Sequence, residues 1–195
     1  MSFKRDLRPE YKKMRLSLST EERKTFSASI CKGVIESDVL QDAHIVHVFL
    51  PIERHKEIDT HDIVKYLWDK GINVAISISH FDNGTMSHYL YTPTTRLSLS
   101  SFSIPEPECI TGLIPVNEKD IDVVITPLLC CDKRGYRVGY GRGFYDRFFA
   151  QCRSDVKRVG MSFFPPIDDV IEDIDVNDIP LTHLCTVDEF ITFEK

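Results

Sequence analysis

The chain has 195 residues, enough for one domain to bury its own core, and its 42% hydrophobic and 28% charged content is that of an ordinary soluble protein. A formal net charge of −6 argues against general nucleic-acid binding, which needs clustered Lys and Arg against phosphates. No apolar run approaches a membrane span, and the charged N-terminus lacks the apolar stretch of a signal peptide, so no membrane partner and a cytoplasmic location are expected.

Helical character opens the chain, with Pro9 expected in a first turn or at a kink. A helix starting just before Pro9 leaves Lys4 on its lead-in. Ser19-Thr-Glu-Glu22 is a capping box for a second helix, reaching about Glu36. His44 to Leu50 reads as a strand. Thr60 caps a helix that places Ile63, Val64, Leu67 and Trp68 on one side and stops at Gly71. Strands follow at Ile72 to Ile78 and Met86 to Tyr91. Residues 92 to 119, with prolines at 93, 105, 107 and 115, read mainly as loop. Residues 121 to 126 contain the β-branched run Val123, Val124 and Ile125, as in a strand buried on both faces. A helix near Tyr145 to Arg153 and strands near Arg158 to Phe163 and Leu184 to Val187 complete the set. Alternating helices and strands predict a three-layer α/β/α fold with a mostly parallel central sheet, formed by residues 1–195 as one domain.

The two chain ends are oppositely charged. Residues 1 to 24 hold eight Lys/Arg against four Asp/Glu, whereas residues 165 to 195 hold nine Asp/Glu and one Lys. Solvated ends that attract one another explain this. So does a basic helix that closes over phosphates while the acidic stretch offers a metal ligand. The six cysteines, at 31, 109, 130, 131, 152 and 185, form no C-x-x-C, and several sit in apolar surroundings that suit reduced, buried thiols. The seven histidines show no metal-ligand spacing, and none is assigned a catalytic role.

Most chemical information lies between Gly135 and Arg147. Four of the nine glycines, 135, 139, 141 and 143, fall there with Arg137, Arg142 and Arg147 among them. Glycine admits a ligand close to the backbone, and arginine grips oxyanions with a planar fork. Strand, glycine-rich loop and helix follow in that order, so a helix N-terminus near Gly143 would face the loop and favour an anion. The spacing matches neither the Walker loop nor the dinucleotide fingerprint. Asp146, in the first helical turn, is ordinarily a dipole-stabilising or capping residue. Beside phosphates it is read as a Mg²⁺ ligand, because the cation removes the repulsion between them.

The stretch Asp132-Lys-Arg-Gly-Tyr-Arg-Val-Gly-Tyr-Gly-Arg-Gly-Phe-Tyr-Asp-Arg147 resembles the signature of the 5-formyltetrahydrofolate cyclo-ligase family, roughly D-x-x-G-x-R-x-G-x-G-x-G-Y-Y-D. Lys4-Arg-Asp-Leu-Arg8, Phe49-Leu-Pro51 with Glu57-Ile-Asp-Thr60, Ile104-Pro-Glu-Pro107 and Asn177-Asp178 resemble further family segments in the right order. The resemblance implies that ATP phosphorylates the formyl oxygen of 5-formyltetrahydrofolate. N10 then attacks the activated carbon, phosphate leaves, and 5,10-methenyltetrahydrofolate and ADP result. Carried over by position, Lys4, Arg8, Arg137, Val138, Gly139, Tyr140, Gly141, Arg142, Gly143, Phe144 and Tyr145 bind ATP. Asp146 and Asp178 hold Mg²⁺, and Leu50, Glu57 and Tyr145 line the folate pocket. Arg142, Tyr145 and Lys4 are the expected catalytic groups. The partners so implied are small molecules, on a monomer or weak homo-oligomer. Three departures stand out: Phe144 replaces the first tyrosine, Arg142 replaces the usual Gly or Lys, and residues 53 to 56 lengthen the gap between Leu50 and Glu57. Phe144 and residues 53 to 56 keep one alternative in view, an ATP-dependent paralogue acting on another formyl or carboxyl compound; a second is a non-enzymatic folate or nucleotide binder, against which the intact Asp146, Arg137 and Arg142 argue.

Overall fold

Val123, Val124 and Ile125 lie fully buried at the centre of an eight-stranded sheet in the computed structural model, which describes residues 2–193. Met1, Glu194 and Lys195, the ends of the expected 1–195 domain, lie outside the described residues. The first half of the chain runs α1 (Lys4–Ser17), α2 (Thr20–Glu36), β1 (Ile45–His47), α3 (His61–Asp69), β2 (Asn73–His80) and β3 (Thr85–Tyr91). Three short strands follow, β4 (Leu97–Leu99), β5 (Pro105–Pro107) and β6 (Pro115–Val116). Then come β7 (Val123–Pro127), β8 (Cys130–Cys131), β9 (Arg137–Val138), α4 (Phe144–Gln151), β10 (Lys157–Met161), β11 (His183–Cys185) and β12 (Phe190–Thr192).

The large sheet has the order β12-β11-β10-β7-β1-β2-β3-β6. Strands β11, β10, β7, β1 and β2 are mutually parallel, while β12, β3 and β6 join antiparallel at the two sides. The period of two sorts side chains to opposite faces. Val123, Ile125, Val159 and Met161 meet Ile30 and Val34 of α2 and Ile63 and Leu67 of α3 on one face. Val124, Ala75 and Leu184 meet Phe148 and Phe149 of α4 on the other. The expected α/β layering is therefore present. Leu67 is wholly buried, and truncating it to Ala is expected to cost about 3 kcal/mol. The α1 helix docks separately: Leu7 packs with Cys130, Val138, Ile167 and Ile171.

Several local expectations change. The helix begins at Lys4 rather than beside Pro9, so Lys4 is its first residue and Pro9 lies inside it. Pro9 has no N–H, which leaves the Arg5 carbonyl without its usual i+4 donor. The capping box forms as read: Ser19 accepts from Glu22 N–H, and Glu22 accepts from Ser19 N–H. Thr60 precedes α3 but makes no side-chain cap; its hydroxyl donates to the Phe49 carbonyl at 2.7 Å. Residues 92–119 contain three strands, each two or three residues long, and β4–β5 forms its own small ribbon. Between β7 and α4 the chain inserts the β8–β9 hairpin instead of running as one open loop. The six cysteines are free, and Cys109 is exposed.

Candidate active site

The β8–β9 hairpin sets the position of the glycine-rich segment. Its turn is built on Asp132, a buried carboxylate. One oxygen accepts from Arg134 N–H and Tyr136 N–H, and the other from the Arg134 guanidinium and Ile171 N–H. Gly135 closes this turn at φ +83°, and a Cβ there would lie 2.9 Å from the Leu181 carbonyl oxygen. Gly135 thus shapes the hairpin rather than a ligand loop. Val138 is 0% exposed, packs in the α1 cluster, and does not line the cavity described next.

A cavity of about 990 Å³ opens beyond the carboxyl ends of β1, β2 and β7, where open α/β sheets hold their ligands. Every predicted site residue except Val138 lines it: Lys4, Arg8, Leu50, Glu57, Arg137, residues 139–146 and Asp178. Residues at the two ends of the sequence converge because α1 and the 173–179 segment are tied together. Lys4 N–H donates to Asp173 at 2.8 Å, and the Lys4 ammonium bonds the Asp178 carboxylate.

One side of the cavity is cationic. Arg8 Nε donates to the Gly139 carbonyl at 2.9 Å, while its guanidinium would lie 3.1 Å from a Cβ at Gly141. Gly141 has φ +83°, a region that side chains disfavour. Arg142 is exposed, lies over the Phe81 ring at 5.5 Å, and has no ion-pair partner among the described residues. Gly143 precedes α4 with φ +67° and no side-chain cap. The first N–H groups of α4 have no acceptor among the described residues and lie at the positive end of the helix dipole, next to the loop. Arg147 braces the loop from outside: its Nε donates to the Gly84 carbonyl at 2.6 Å, and its Nη2 bonds the Arg142 carbonyl.

Arg137 plays a different part from the one its charge suggests. Its side chain is 8% exposed, donates to the Ile179 carbonyl at 2.5 Å and to Asp146 Oδ1 at 2.7 Å, and lies over Phe149. Burial pulls its pKa below the arginine norm, and Asp146 opposes that shift. Asp146 Oδ1 also accepts from Ile179 N–H, whereas Oδ2 takes no hydrogen bond among the described residues. Asp178 is similar: Oδ2 accepts from Lys4 and from Asp175 N–H, and Oδ1 takes no hydrogen bond among the described residues. Among the described residues no group of three or more His, Cys, Asp or Glu forms a complete metal cage. Both carboxylates line the cavity, and each has one oxygen without a hydrogen bond among the described residues, a hard-donor pair that fits Mg²⁺ completed by phosphate and water.

The cavity also has an aromatic and apolar part, around one buried carboxylate. Glu57 is 3% exposed. Tyr140 Oη donates to its Oε1 at 2.6 Å, and Ile52 N–H donates to its Oε2 at 2.7 Å. Burial raises its pKa, partly offset by the Tyr140 bond, Ile52 N–H, Arg15 and Arg23. Tyr145 carries a hydroxyl with no hydrogen bond among the described residues, and burial followed by the nearby Glu57 carboxylate raises its pKa. Phe144 contacts Phe81 edge-on at 5.2 Å, and Phe81 stacks on Phe102 at 3.7 Å. Residues 53 to 56 form a 3₁₀ turn that is pinned down, Arg23 pairing with Glu53 and the Lys56 ammonium bonding the Leu16 and Leu18 carbonyls.

Sequence reasoning missed Arg15, His47, Ser77, Phe81 and Phe102. Arg15 reads as one more basic residue on a terminal helix, yet it is 3% exposed. His47 and Ser77 form part of the cavity floor, with His47 Nε2 2.7 Å from the Ser77 hydroxyl and His88 Nδ1 3.0 Å beyond it. No local motif marks them, because β1, β2 and β3 bring them together only by strand pairing.

With this geometry in place, the profile of the 5-formyltetrahydrofolate cyclo-ligase family matches residues 1–191. The chain belongs to that family. Membership makes it an enzyme of the ligase class and of folate one-carbon metabolism, as the motif resemblance implied. Among curated cyclo-ligases, that of Haemophilus influenzae is 29% identical over 149 residues, covering 74% of this chain and 76% of that protein. The Escherichia coli K12 protein is 31% identical over 135 residues, 68% and 72% of the two chains. The mouse protein is 30% identical over 159 residues, 77% and 75%. The solved structure of Aquifex aeolicus 5,10-methenyltetrahydrofolate synthetase superposes with a TM-score of 0.75 at 24% identity, covering 98% of this chain and 93% of the other. A Mycoplasma pneumoniae synthetase gives 0.70 at 18% identity, covering 94% and 97%. These two likenesses establish the cyclo-ligase fold. No helix among the described residues is long and apolar enough to cross a membrane.

Proposed function

We propose that the protein converts 5-formyltetrahydrofolate to 5,10-methenyltetrahydrofolate at the expense of ATP and in the presence of Mg²⁺, releasing ADP and phosphate. The observation that carries this reading is the convergence, on one cavity, of Lys4, Arg8, Arg142 and a helix N-terminus with Glu57 and Tyr145. The cationic side suits a triphosphate. The carboxylate-and-aromatic side suits a reduced pterin, whose ring N–H and amino groups are donors.

Phosphoryl transfer depends on position and charge neutralisation. Arg8 and Arg142 stand beside glycines, where backbone N–H groups also approach a phosphate. Lys4, at the start of α1, is free to exchange its Asp178 partner for a phosphate oxygen. Asp146 and Asp178 would hold Mg²⁺ by their open oxygens; when bound it neutralises phosphate charge. The nucleophile is the formyl oxygen, whose amide-like character requires no strong base. The formyl oxygen takes the γ-phosphoryl group and ADP leaves. N10 then bonds the formyl carbon, loses its proton, and the C–O bond breaks to release phosphate. The phosphorylated species hydrolyses in water, so the aromatic wall of Phe81, Phe102, Phe144 and Tyr145 has a protective use.

The test is absorbance of the methenyl product, recorded with and without ATP and Mg²⁺. Product that requires both is expected. No product from folded enzyme supplied with both would refute the proposal, and ATP hydrolysis stimulated by a different formyl or carboxyl compound would redirect it to the paralogue reading.

A further inference from the structure

Arg15 is a buried cation without an obvious structural use. It lies on α1, is 3% exposed, and does not line the cavity. Its Nη2 donates to Tyr140 Oη at 2.6 Å, and its Nε is buried without a hydrogen-bond partner among the described residues. Tyr140 Oη is in turn 2.6 Å from Glu57 Oε1. Three segments of the fold thus meet in one chain of hydrogen bonds: α1, the glycine-rich loop and the 52–57 turn.

The chemistry of the three groups fixes the direction of that chain. A guanidinium only donates, and a phenol has one proton. Because Arg15 occupies the phenol oxygen as an acceptor, the Tyr140 proton is directed to Glu57. Glu57 Oε1 therefore accepts, which favours the ionised carboxylate against the pull of burial and fixes its orientation. Two of its roughly four acceptor sites are used, by Tyr140 and Ile52. The remaining capacity takes no hydrogen bond among the described residues, and Glu57 lines the cavity.

We propose that Arg15 is a positioning residue which, through Tyr140, orients the Glu57 carboxylate as the acceptor for the paired N–H donors of the folate ring. This rests on the proposed function. It also couples the two halves of the cavity, because Tyr140 belongs to the loop that faces the phosphates.

The charged and titratable groups around Glu57 come from every neighbouring element. Arg15 faces it from α1, Arg23 from α2 through a bond to its main-chain carbonyl, Tyr140 from the loop, and Tyr145 from α4. Glu53, His55 and Asp59 belong to its own segment, with Glu53 paired to Arg23 and Asp59 to His61. Arg15, Arg23 and the Tyr140 hydroxyl all oppose the upward pull of burial on Glu57. Removing Arg15 or the hydroxyl raises the pKa of Glu57 further, so the carboxylate is lost at a higher pH.

The experiment compares Tyr140→Phe, Arg15→Met, Arg15→Lys and the double variant of Phe and Met, each checked for folding by thermal unfolding. Tyr140→Phe removes only one oxygen and spares the fold. The expected result is a KM for 5-formyltetrahydrofolate raised about tenfold, the size of one lost hydrogen bond to a charged group. The acid limb of kcat/KM for the folate moves to higher pH in Tyr140→Phe and Arg15→Met. Arg15→Lys, which retains a donor, restores part of the loss, and the double variant loses less than the product of the single effects. Folded variants with unchanged folate KM and pH profile, made in an enzyme that forms the methenyl product, would overturn this inference alone. A wild-type enzyme that forms no product would overturn the proposed function and this inference with it.

Discussion

Arg137 donates to Asp146 Oδ1 at 2.7 Å, so the most deeply held arginine of the motif is committed to the carboxylate expected to bind Mg²⁺. The pair separates two roles within one residue: Oδ1 holds the protein together, and Oδ2 takes no hydrogen bond among the described residues. Asp146→Asn retains an acceptor for Arg137 and is expected to fold normally while losing Mg²⁺-dependent turnover about a hundredfold or more. Asp146→Ala also strands a buried guanidinium and is expected to unfold roughly 3 kcal/mol more easily. Urea denaturation with Mg²⁺ titration of activity separates the two effects. Equal stability losses in both variants would contradict this division.

Asp132 anchors the hairpin beneath the loop and is absent from the cavity lining. Asp132→Ala leaves the buried N–H groups of Tyr136 and Ile171 without acceptors. A stability loss of roughly 3 kcal/mol is expected, measured by denaturant unfolding. A loss below about 1 kcal/mol would mean that the hairpin holds by other contacts.

The glycines of the motif are not equivalent. Gly141 has φ +83° and lies against the Arg8 guanidinium, whereas a Cβ at Gly139 would meet no atom within 4 Å and its φ is not positive. Gly141→Ala is expected to strain the loop by about 1 kcal/mol and to raise the KM for ATP about fivefold. Gly139→Ala should leave stability within about 0.5 kcal/mol and affect only phosphate approach. Unfolding curves and ATP kinetics of both variants check the contrast.

The readable parts of this chain are those where one short pattern determines one outcome. The β-branched run at Val123–Ile125 is a central strand, and Ser19 with Glu22 is a capping box, because each depends on its immediate neighbours alone. The strands β8 and β9, two residues each, carry no periodicity, so the hairpin between β7 and the motif leaves no trace in the sequence. Gly135 and Val138 consequently read as part of the ligand loop, although they serve the turn and the core. Lys4, Arg8, Asp146 and Asp178, distant in sequence, all line the cavity. Arg15 escapes a sequence reading because its burial depends on Tyr140, 125 residues away.

His47 and His88 supply a pH prediction. Burial depresses His88 from 6.5 to about 4, outweighing the Glu118 carboxylate 3.8 Å from Nε2, and burial together with the adjacent His88 holds His47 well below 6.5. The folded protein refuses protons that the unfolded chain accepts below about 6.5. Stability is therefore complete above that pH and falls as pH drops toward 4, by on the order of 3 kcal/mol from His88 alone. Urea unfolding at pH about 7.5 and about 4.5 should show a smaller pH-dependent loss for His88→Gln than for wild type. Parallel losses would exclude His88 as the source.

The central claim is that one cavity joins ATP cleavage to ring closure on the folate. It is tested most directly by counting ADP and methenyl product in the same reaction. One ADP per methenyl-tetrahydrofolate, with neither formed when 5-formyltetrahydrofolate or ATP is omitted, is the predicted result. Product without ADP, or ADP without product, would contradict it.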